Sequence, residues 1–212
     1  MNHETDPSGP RKAPVQARSI ATVDAILDAA IQVLLKQGLA RCNTTRVAER
    51  AGVSIGSLYQ YFPNREAMMV AVLARYLATV ASQLEQACAA AHYQPVDRMA
   101  QALVLSWLEA KLSQPALSRA LYAVAESYGS HPRVRAAQER LQAAVRQMLN
   151  TASDGKISPL PVVTVMLLGA INGPVRMLLE GSIDPAQIEV FRQHLIVLAS
   201  AYLHSVLTRS SE

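Results

Sequence analysis

Residues 47–61 have the sequence VAERAGVSIGSLYQY, which is typical of two short helices joined by a tight turn. Ala48 is small enough for a second helix to cross closely, and Gly52 can adopt the positive φ that such a turn needs. Four apolar side chains fill the small core between the helices: Val47, Ala51, Val53 and Leu58. The pattern predicts a helix-turn-helix, with helices at about Thr45–Ala51 and Ile55–Phe62.

A longer amphipathic helix is predicted just before this motif, from about Arg18 to Gln37. Its apolar residues recur at helical spacing and are Ile20, Val23, Ile26, Leu27, Ala30, Val33 and Leu34. Gly38 supplies a C-terminal stop, and Asn43 or Thr44 caps the next helix. The first third of the chain therefore predicts a three-helix unit.

The remainder is also helical in pattern, because its hydrophobic residues are mostly Ala, Leu and Val without the alternation of strands. One further helix is predicted to begin near Arg65 and end before His92. The others are predicted at Val96–Leu112, Pro115–Tyr128, Pro132–Thr151, Leu160–Glu180 and Pro185–Leu207. The fold class is therefore all-α with about nine helices.

The basic residues are concentrated near the N-terminus. The formal net charge is +4, and nine basic against six acidic residues place +3 of it between Met1 and Arg75. This excess suits an acidic partner such as nucleic acid. Residues 1–17 are predicted to be a flexible basic arm, in which Arg11 and Lys12, followed by Arg18, reach phosphates or a minor groove.

The second short helix is predicted to present a face to DNA. Ser54 is a good N-cap, so the backbone N–H groups after it lie at an end with partial positive charge. The outward residues are Ile55, Gly56, Ser57, Tyr59 and Gln60. Gln60 can pair with adenine edges, Ile55 can contact a thymine methyl group, and Gly56 permits close approach.

Another set of polar residues suits the DNA backbone, whose contacts position a protein without selecting sequence. It comprises Thr44, Thr45, Arg46, Tyr59 and Tyr61. Tyr61 and Phe62 have an alternative role in closing the hydrophobic core of the unit, and for Phe62 that role is favoured.

Residues 43–67, NTTRVAERAGVSIGSLYQYFPNREA, resemble the signature of TetR-family repressors, and the resemblance covers roughly residues 18–75. It implies a helix-turn-helix domain at 18–64, a C-terminal effector-binding and dimerisation domain at 65–212, and a homodimer. It also implies phosphate contacts by Thr44, Tyr59, Tyr61, Asn64 and Arg65. Many members carry Lys, Thr or Arg in the recognition helix where this chain has Ile55, Gly56 and Gln60, so the operator sequence stays open.

These observations predict a repressor that binds a palindromic double-stranded DNA operator and is released by a small-molecule effector. An activator with the same helix-turn-helix and a helical ligand-binding scaffold without DNA activity are the alternatives. Effector binding is expected to tilt the helix that starts at Arg65, which changes the separation of the recognition helices.

The apolar surface of the last two predicted helices is too wide for a helix that has one solvent-exposed face. This pattern predicts that the two helices form a dimer interface. An effector pocket is expected at Trp107, Tyr122, Met166 and Met177, with packing as the alternative role for each. Arg176 is expected to pair with Glu180, one turn later.

No enzyme, cofactor or metal site is expected. Gly52–Gly56 formally matches a G-x-S-x-G nucleophile elbow, but that motif requires a preceding strand. The five histidines lack zinc-type spacing, and a phosphate-binding glycine loop is absent. Ile157–Val175 is uncharged, yet Pro and Gly interrupt it, so a buried interface helix is favoured over a membrane span. Met1–Pro14 does not resemble a signal peptide, and a cytoplasmic location is expected.

Overall fold

The computed structural model of the protein describes residues 17–181 and 184–208. Within that part, nine α-helices confirm the predicted all-α fold. They are α1 (Ala17–Arg41), α2 (Thr44–Ala51), α3 (Ile55–Tyr61), α4 (Arg65–Ala90), α5 (Val96–Leu112), α6 (Pro115–Tyr128), α7 (Pro132–Leu149), α8 (Leu160–Leu179) and α9 (Ile188–Val206). The predicted basic arm with Arg11 and Lys12, and the side chain of Arg18, lie outside the described residues.

The helix ends differ from the predicted ones by a few residues. Gly38 breaks the helical backbone with φ 75°, as a stop signal should, but the chain resumes a helical turn up to Arg41. A 3-10 turn at Pro185–Gln187 precedes α9, so the final helix begins three residues later than predicted. Proline at 185 therefore opens a tighter turn and not the α-helix itself.

Two strands of two residues each were not predicted from the sequence. β1 (Lys156–Ile157) pairs antiparallel with β2 (Leu207–Thr208), and Ile157 lies opposite Leu207. Gly155 is required beside this pair, because a Cβ atom there would lie 2.7 Å from the Thr208 carbonyl oxygen. Strands this short carry no periodic hydrophobic pattern that the sequence alone would reveal.

The chain forms two compact units, and α4 contributes to both. The first unit contains the described residues up to Leu77 together with Ala120–Arg135, and the second contains Ala78–Arg119 with the described residues from Ala136 onward. The domain boundary predicted from the sequence lies before α4, whereas the compact units divide within this helix, after Leu77. The turns of α4 up to Leu77 belong to the first unit, and Met68, Met69 and Leu73 in these turns are buried.

In the first unit, α1 packs on α2 and α2 packs on α3. The core that they share is apolar and fully buried, and includes Ile26, Val47, Ala48, Leu58, Phe62 and Met68. Phe62 is 1% exposed, which agrees with the core role favoured for it. Cys42 is a buried free thiol whose Sγ lies 3.6 Å from the Ala30 carbonyl oxygen.

In the second unit, α5 packs against α8 and α9. Pro95 cannot cap α5 with a side chain, and Asp154 supplies the cap from a distant turn. Both Asp154 carboxylate oxygens lie 3.2 Å from the Val96 backbone nitrogen. At the same end of α5, Asp97 lies 2.9 Å from His204 Nε2, which ties the start of α5 to the end of α9.

Two of the described helices, α4 and α8, are long and apolar enough to cross a membrane by length and composition. Of the most apolar 18-residue stretch of each helix, 50% is buried in α4 and 44% in α8. Core helices of folded domains show the same combination of length and hydropathy.

Candidate nucleic-acid interface

The turn between α2 and α3 closes α2 with a left-handed glycine. Gly52 has φ 67° and ψ 28°, and its N–H donates to the Glu49 carbonyl oxygen at 3.3 Å. The Val53 N–H donates to the Ala48 carbonyl oxygen at 3.1 Å. These two bonds form a Schellman motif, which satisfies the last carbonyls of α2 and reverses the chain within a few residues.

Ser54 begins α3 as its N-cap, as the sequence predicts. The Ser54 Oγ accepts a hydrogen bond from the Ser57 backbone N–H at 3.0 Å and lies 2.8 Å from the Ser57 Oγ. The cap fixes the direction in which the helix leaves the turn. The first turn of α3 lies at the surface, since Ser54, Ile55 and Gly56 are all exposed.

The outward face of α3 contains the residues predicted to meet base edges. Ile55 and Tyr59 are each 40% exposed and Gln60 is exposed, whereas Leu58 is fully buried on the opposite side. A Cβ atom at Gly56 would have only the Ser54 Oγ nearby, at 3.8 Å. The backbone at Gly56 is therefore open to close approach by a large partner.

Hydroxyl groups of the predicted phosphate-contacting residues link α3 to its neighbours. The Thr44 Oγ1 lies 3.2 Å from the Tyr59 hydroxyl, and the Tyr61 hydroxyl lies 3.1 Å from the Ser19 Oγ on α1. Thr44 is 8% exposed, so its side chain is less available than the sequence suggests. Tyr61 is half-buried, which gives it a packing role in addition to any contact with DNA.

Thr45 and Arg46 lie exposed in the first turn of α2. Asn43 is the cap of this helix, since its Oδ1 accepts from the Arg46 backbone N–H at 3.0 Å. The Arg46 Nη1 donates to the Arg41 carbonyl oxygen at 2.9 Å, which places its guanidinium beside the loop that joins α1 and α2.

Asn64 and Arg65 have structural roles that sequence reasoning missed. The Asn64 Oδ1 caps α4 by accepting from the Ala67 N–H at 2.8 Å. The half-buried Arg65 donates from Nε to the Cys42 carbonyl oxygen at 2.7 Å and from Nη2 to the Leu39 carbonyl oxygen. Its guanidinium therefore ties the start of α4 to the end of α1. No periodic or compositional signal marks this contact, because it joins residues far apart in the chain.

A second tie between α4 and α1 was also missed. Arg75 lies 2.6 Å from an Asp28 carboxylate oxygen and 3.6 Å from an Asp24 carboxylate oxygen. The sequence carries a signal for it, since Asp24 and Asp28 are four residues apart and share one face of α1. The partner of that acidic pair is visible only in the folded chain.

The four residues predicted to form an effector pocket are not equally buried. Trp107 is 7% exposed and its Nε1 has no hydrogen-bond partner, whereas Met166 and Met177 are 56% and 55% exposed. Tyr122 is half-buried and belongs to the first unit, while the other three belong to the second. Arg176 pairs with Glu180 at 2.7 Å, as predicted.

A short helix with a free polar face, held by a tight turn against a preceding helix, defines the class of helix-turn-helix DNA-binding regulators. Ser54 follows helix α2 and not a strand, so the geometry of a nucleophile elbow is absent at this serine.

Comparison with known proteins agrees with this class. The family described as "Bacterial regulatory proteins, tetR family" matches residues 26–72, and "Tetracyclin repressor-like, C-terminal domain" matches residues 95–203. The chain belongs to the tetR family of bacterial regulatory proteins. The members of this family are DNA-binding transcriptional regulators.

Individual relatives match over about 30% of this chain. The uncharacterized HTH-type transcriptional regulator YvkB of Bacillus subtilis is 38% identical over 61 residues, covering 29% of this chain and 32% of that protein. The HTH-type transcriptional repressor KstR of Mycolicibacterium smegmatis is 35% identical over 65 residues, covering 31% and 32%. The aligned region thus spans about a third of the length of these relatives.

Solved structures share the fold over almost the whole chain. A TetR transcriptional regulator from Rhodococcus sp. RHA1 superposes with a TM-score of 0.59 at 22% identity, covering 86% of this chain and 97% of that one. At this identity the similarity shows the fold alone.

Proposed function

We propose that the protein is a transcriptional repressor that binds a palindromic double-stranded DNA operator as a homodimer and leaves it when a small-molecule effector binds. The single observation that carries this proposal is the exposed face of α3. Ile55, Gly56, Tyr59 and Gln60 are exposed there, on a helix fixed at its start by the Ser54 cap. In a ligand-binding scaffold without DNA activity, the exposed side chains of α3 would have no binding role.

Within this interface, the side chains divide into two roles. Ile55, Gly56 and Gln60 contact base edges in the major groove, where amide and apolar groups discriminate between base pairs. Thr45, Arg46, Ser57 and Tyr59 contact the backbone. Thr44, Tyr61, Asn64 and Arg65 act mainly by holding α2, α3 and α4 in place, because their polar atoms bond to other parts of the first unit.

A homodimer is supported by apolar side chains exposed along α8 and α9, which pack on each other. On α8 they are Val162, Val165, Met166 and Met177, and on α9 Val190, Val197 and Leu198, each 44–64% exposed. Gly169 and Gly173 lie in the same α8 stripe with no atom within 4 Å of a Cβ placed there, which permits close approach of a partner helix. We name these residues the α8–α9 face and assign it to a four-helix dimer interface.

Met166 and Met177 are reassigned from the effector pocket to the α8–α9 face, because a residue exposed by more than half is poorly placed to line an enclosed site. Trp107 keeps its assignment to the effector site. The functional division remains 18–64 for DNA binding and 65–212 for effector binding and dimerisation, and the protein acts in the cytoplasm.

Helix α4 connects the two functions, since it is one continuous helix with residues in both units. Arg65 and Arg75 tie its first part to α1. An effector that tilts α4 therefore moves the helix-turn-helix with it. In a dimer this movement changes the separation of the two α3 helices, so that they no longer fit successive major grooves.

The test is a salt titration of binding to DNA from upstream of the protein's own gene, compared with scrambled DNA of equal length. We expect tight, sequence-selective binding by a dimer. Equally weak binding to both DNAs, falling steeply with salt, would indicate electrostatic attraction alone and contradict the proposal.

A further inference from the structure

Helix α5 contains a buried donor without an acceptor. The indole Nε1 of Trp107 makes no hydrogen bond, although the residue is 7% exposed. Buried polar side-chain atoms nearly always have a partner, so an exception calls for an explanation such as a bound group. The indole N–H can only donate, which restricts that group to a hydrogen-bond acceptor.

A buried cation lies next to this donor. Lys111 is one helical turn after Trp107 and 5% exposed, and its ammonium lies 5.2 Å from the centroid of the Trp107 ring. Burial lowers the pKa of Lys111 to about 8, so the ammonium is still mainly protonated at neutral pH. Lysine is among the residues that proteins bury least often.

Apart from Trp107 and Lys111, the side chains that α5 buries are apolar. The other buried residues of the helix are Val96, Met99, Ala100, Leu103, Val104, Leu108 and Ala110. A molecule bound beside them gains from an apolar body, and a polar end that accepts hydrogen bonds and carries negative charge suits the Trp107 donor and the Lys111 cation. A carboxylate satisfies both demands of the polar end, because it offers only acceptors and forms strong charge-assisted bonds.

We propose that Trp107 and Lys111 form the polar end of the effector site, and that the effector is an amphiphile whose carboxylate accepts from the Trp107 Nε1–H and pairs with the Lys111 ammonium. This inference rests on the proposed function, since it names the chemical class of the effector. Trp107 is among the residues predicted from the sequence for this site but Lys111 is not, because a lysine on a helix is usually solvated.

The chain contains a single tryptophan, so its intrinsic fluorescence reports directly on this site. We would titrate the protein with decanoate, 1-decanol and decylamine, three ten-carbon probes with different head groups. Each probe is kept below the concentration at which it aggregates or separates from water. Decanoate should change the Trp107 emission, and the dissociation constant obtained from that change should be about tenfold or more below that of decanol. Decylamine should bind more weakly than both, because its cation meets the Lys111 ammonium.

Two variants sharpen the comparison. K111M removes the buried cation with little change in volume, and should bring decanoate binding down to the level of decanol. K156M removes a positive charge from the exposed Lys156 in the same unit and should keep the wild-type preference. Their circular dichroism spectra would establish that both variants are folded.

The wild-type comparison requires no variant and is decisive by itself. Equal affinity for decanoate and decanol, or no fluorescence response to any of the probes, would overturn the inference, as would full decanoate preference in K111M. Operator binding without any probe separates this failure from that of the proposed function. A protein that binds its operator selectively but ignores decanoate refutes only the effector class, and one that prefers decanoate but not operator DNA refutes only the repressor proposal.

Discussion

Gly52 holds the strictest backbone constraint in the helix-turn-helix, and its physical basis is local. Its left-handed φ of 67° is costly for any residue with a Cβ, although the space around it is open. Gly56 differs in that it lies inside α3 with ordinary helical geometry. Replacing each of the two glycines by alanine should therefore affect stability differently.

We expect G52A to lower the free energy of unfolding by about 1 kcal/mol, because alanine is strained in the left-handed region. G56A should leave it unchanged or raise it by up to about 1 kcal/mol, since alanine favours the helix. Urea denaturation measures both. If the two substitutions destabilised equally, the positive φ would not be the source of the effect.

Lys111 gives the protein a pH dependence of stability with a definite sign. Its pKa is about 8 in the folded chain and near 10.5 when solvated, so the unfolded chain binds more protons between these values. Stability therefore rises with pH as the folded chain loses this proton, by about 1 kcal/mol between pH 7 and pH 9 from this group. The increase should be present in the wild type and missing in K111M.

Subtracting the K111M curve from the wild-type curve removes other titrating groups. Cys88 is one of them, because burial raises the pKa of its thiol to about 12 and its ionisation on unfolding lowers stability at high pH. A difference curve that is flat from pH 7 to pH 9 would contradict the assigned burial of the Lys111 ammonium.

Helix α3 combines a buried side and an exposed side within seven residues. Leu58 anchors it in the core of the first unit, and the turn at Gly52 sets its direction. Gln60 and Tyr59 lie next to each other on the exposed part, yet only the amide of Gln60 can distinguish one base pair from another.

Q60A should lose about 1–3 kcal/mol of binding free energy on the operator and relax selectivity at one base position. Y59F should lose about 1 kcal/mol on operator and scrambled DNA alike, because a phosphate contact carries no sequence information. Fluorescence anisotropy with single-base operator variants measures both. A Q60A protein with unchanged selectivity would remove Gln60 from the base-reading set.

Dimerisation determines whether two α3 helices can meet one palindromic site. The α8–α9 face groups seven exposed apolar side chains on two neighbouring helices. A symmetric dimer would bury each of them in both protomers. Leu105 on α5 is also exposed, at 39%, but lies outside this face and provides a matched control.

V165D should raise the dimer dissociation constant by roughly two orders of magnitude or more, because each dimer would bury two carboxylates. L105D should not change it. Analytical ultracentrifugation measures the effect, and operator binding should fall in parallel for V165D only. Equal effects of the two substitutions would place the interface elsewhere on the chain.

The sequence by itself determined the helical fold, the turn at Gly52 and the outward face of α3. These depend on interactions within a few residues, so helical periodicity, capping residues and a glycine that permits positive φ are visible in the chain. The same local signals placed most helix boundaries within a few residues, and Arg176 beside Glu180 on α8.

Only the tertiary structure decided which polar groups meet across long stretches of chain. Arg65 bonds to carbonyls at the end of α1, Arg75 pairs with Asp28, and Asp154 caps α5. It also decided that Lys111 is buried beside Trp107 while Met166 is exposed. Such contacts depend on how the helices pack, and packing is set by the whole chain and not by the spacing of residues along it.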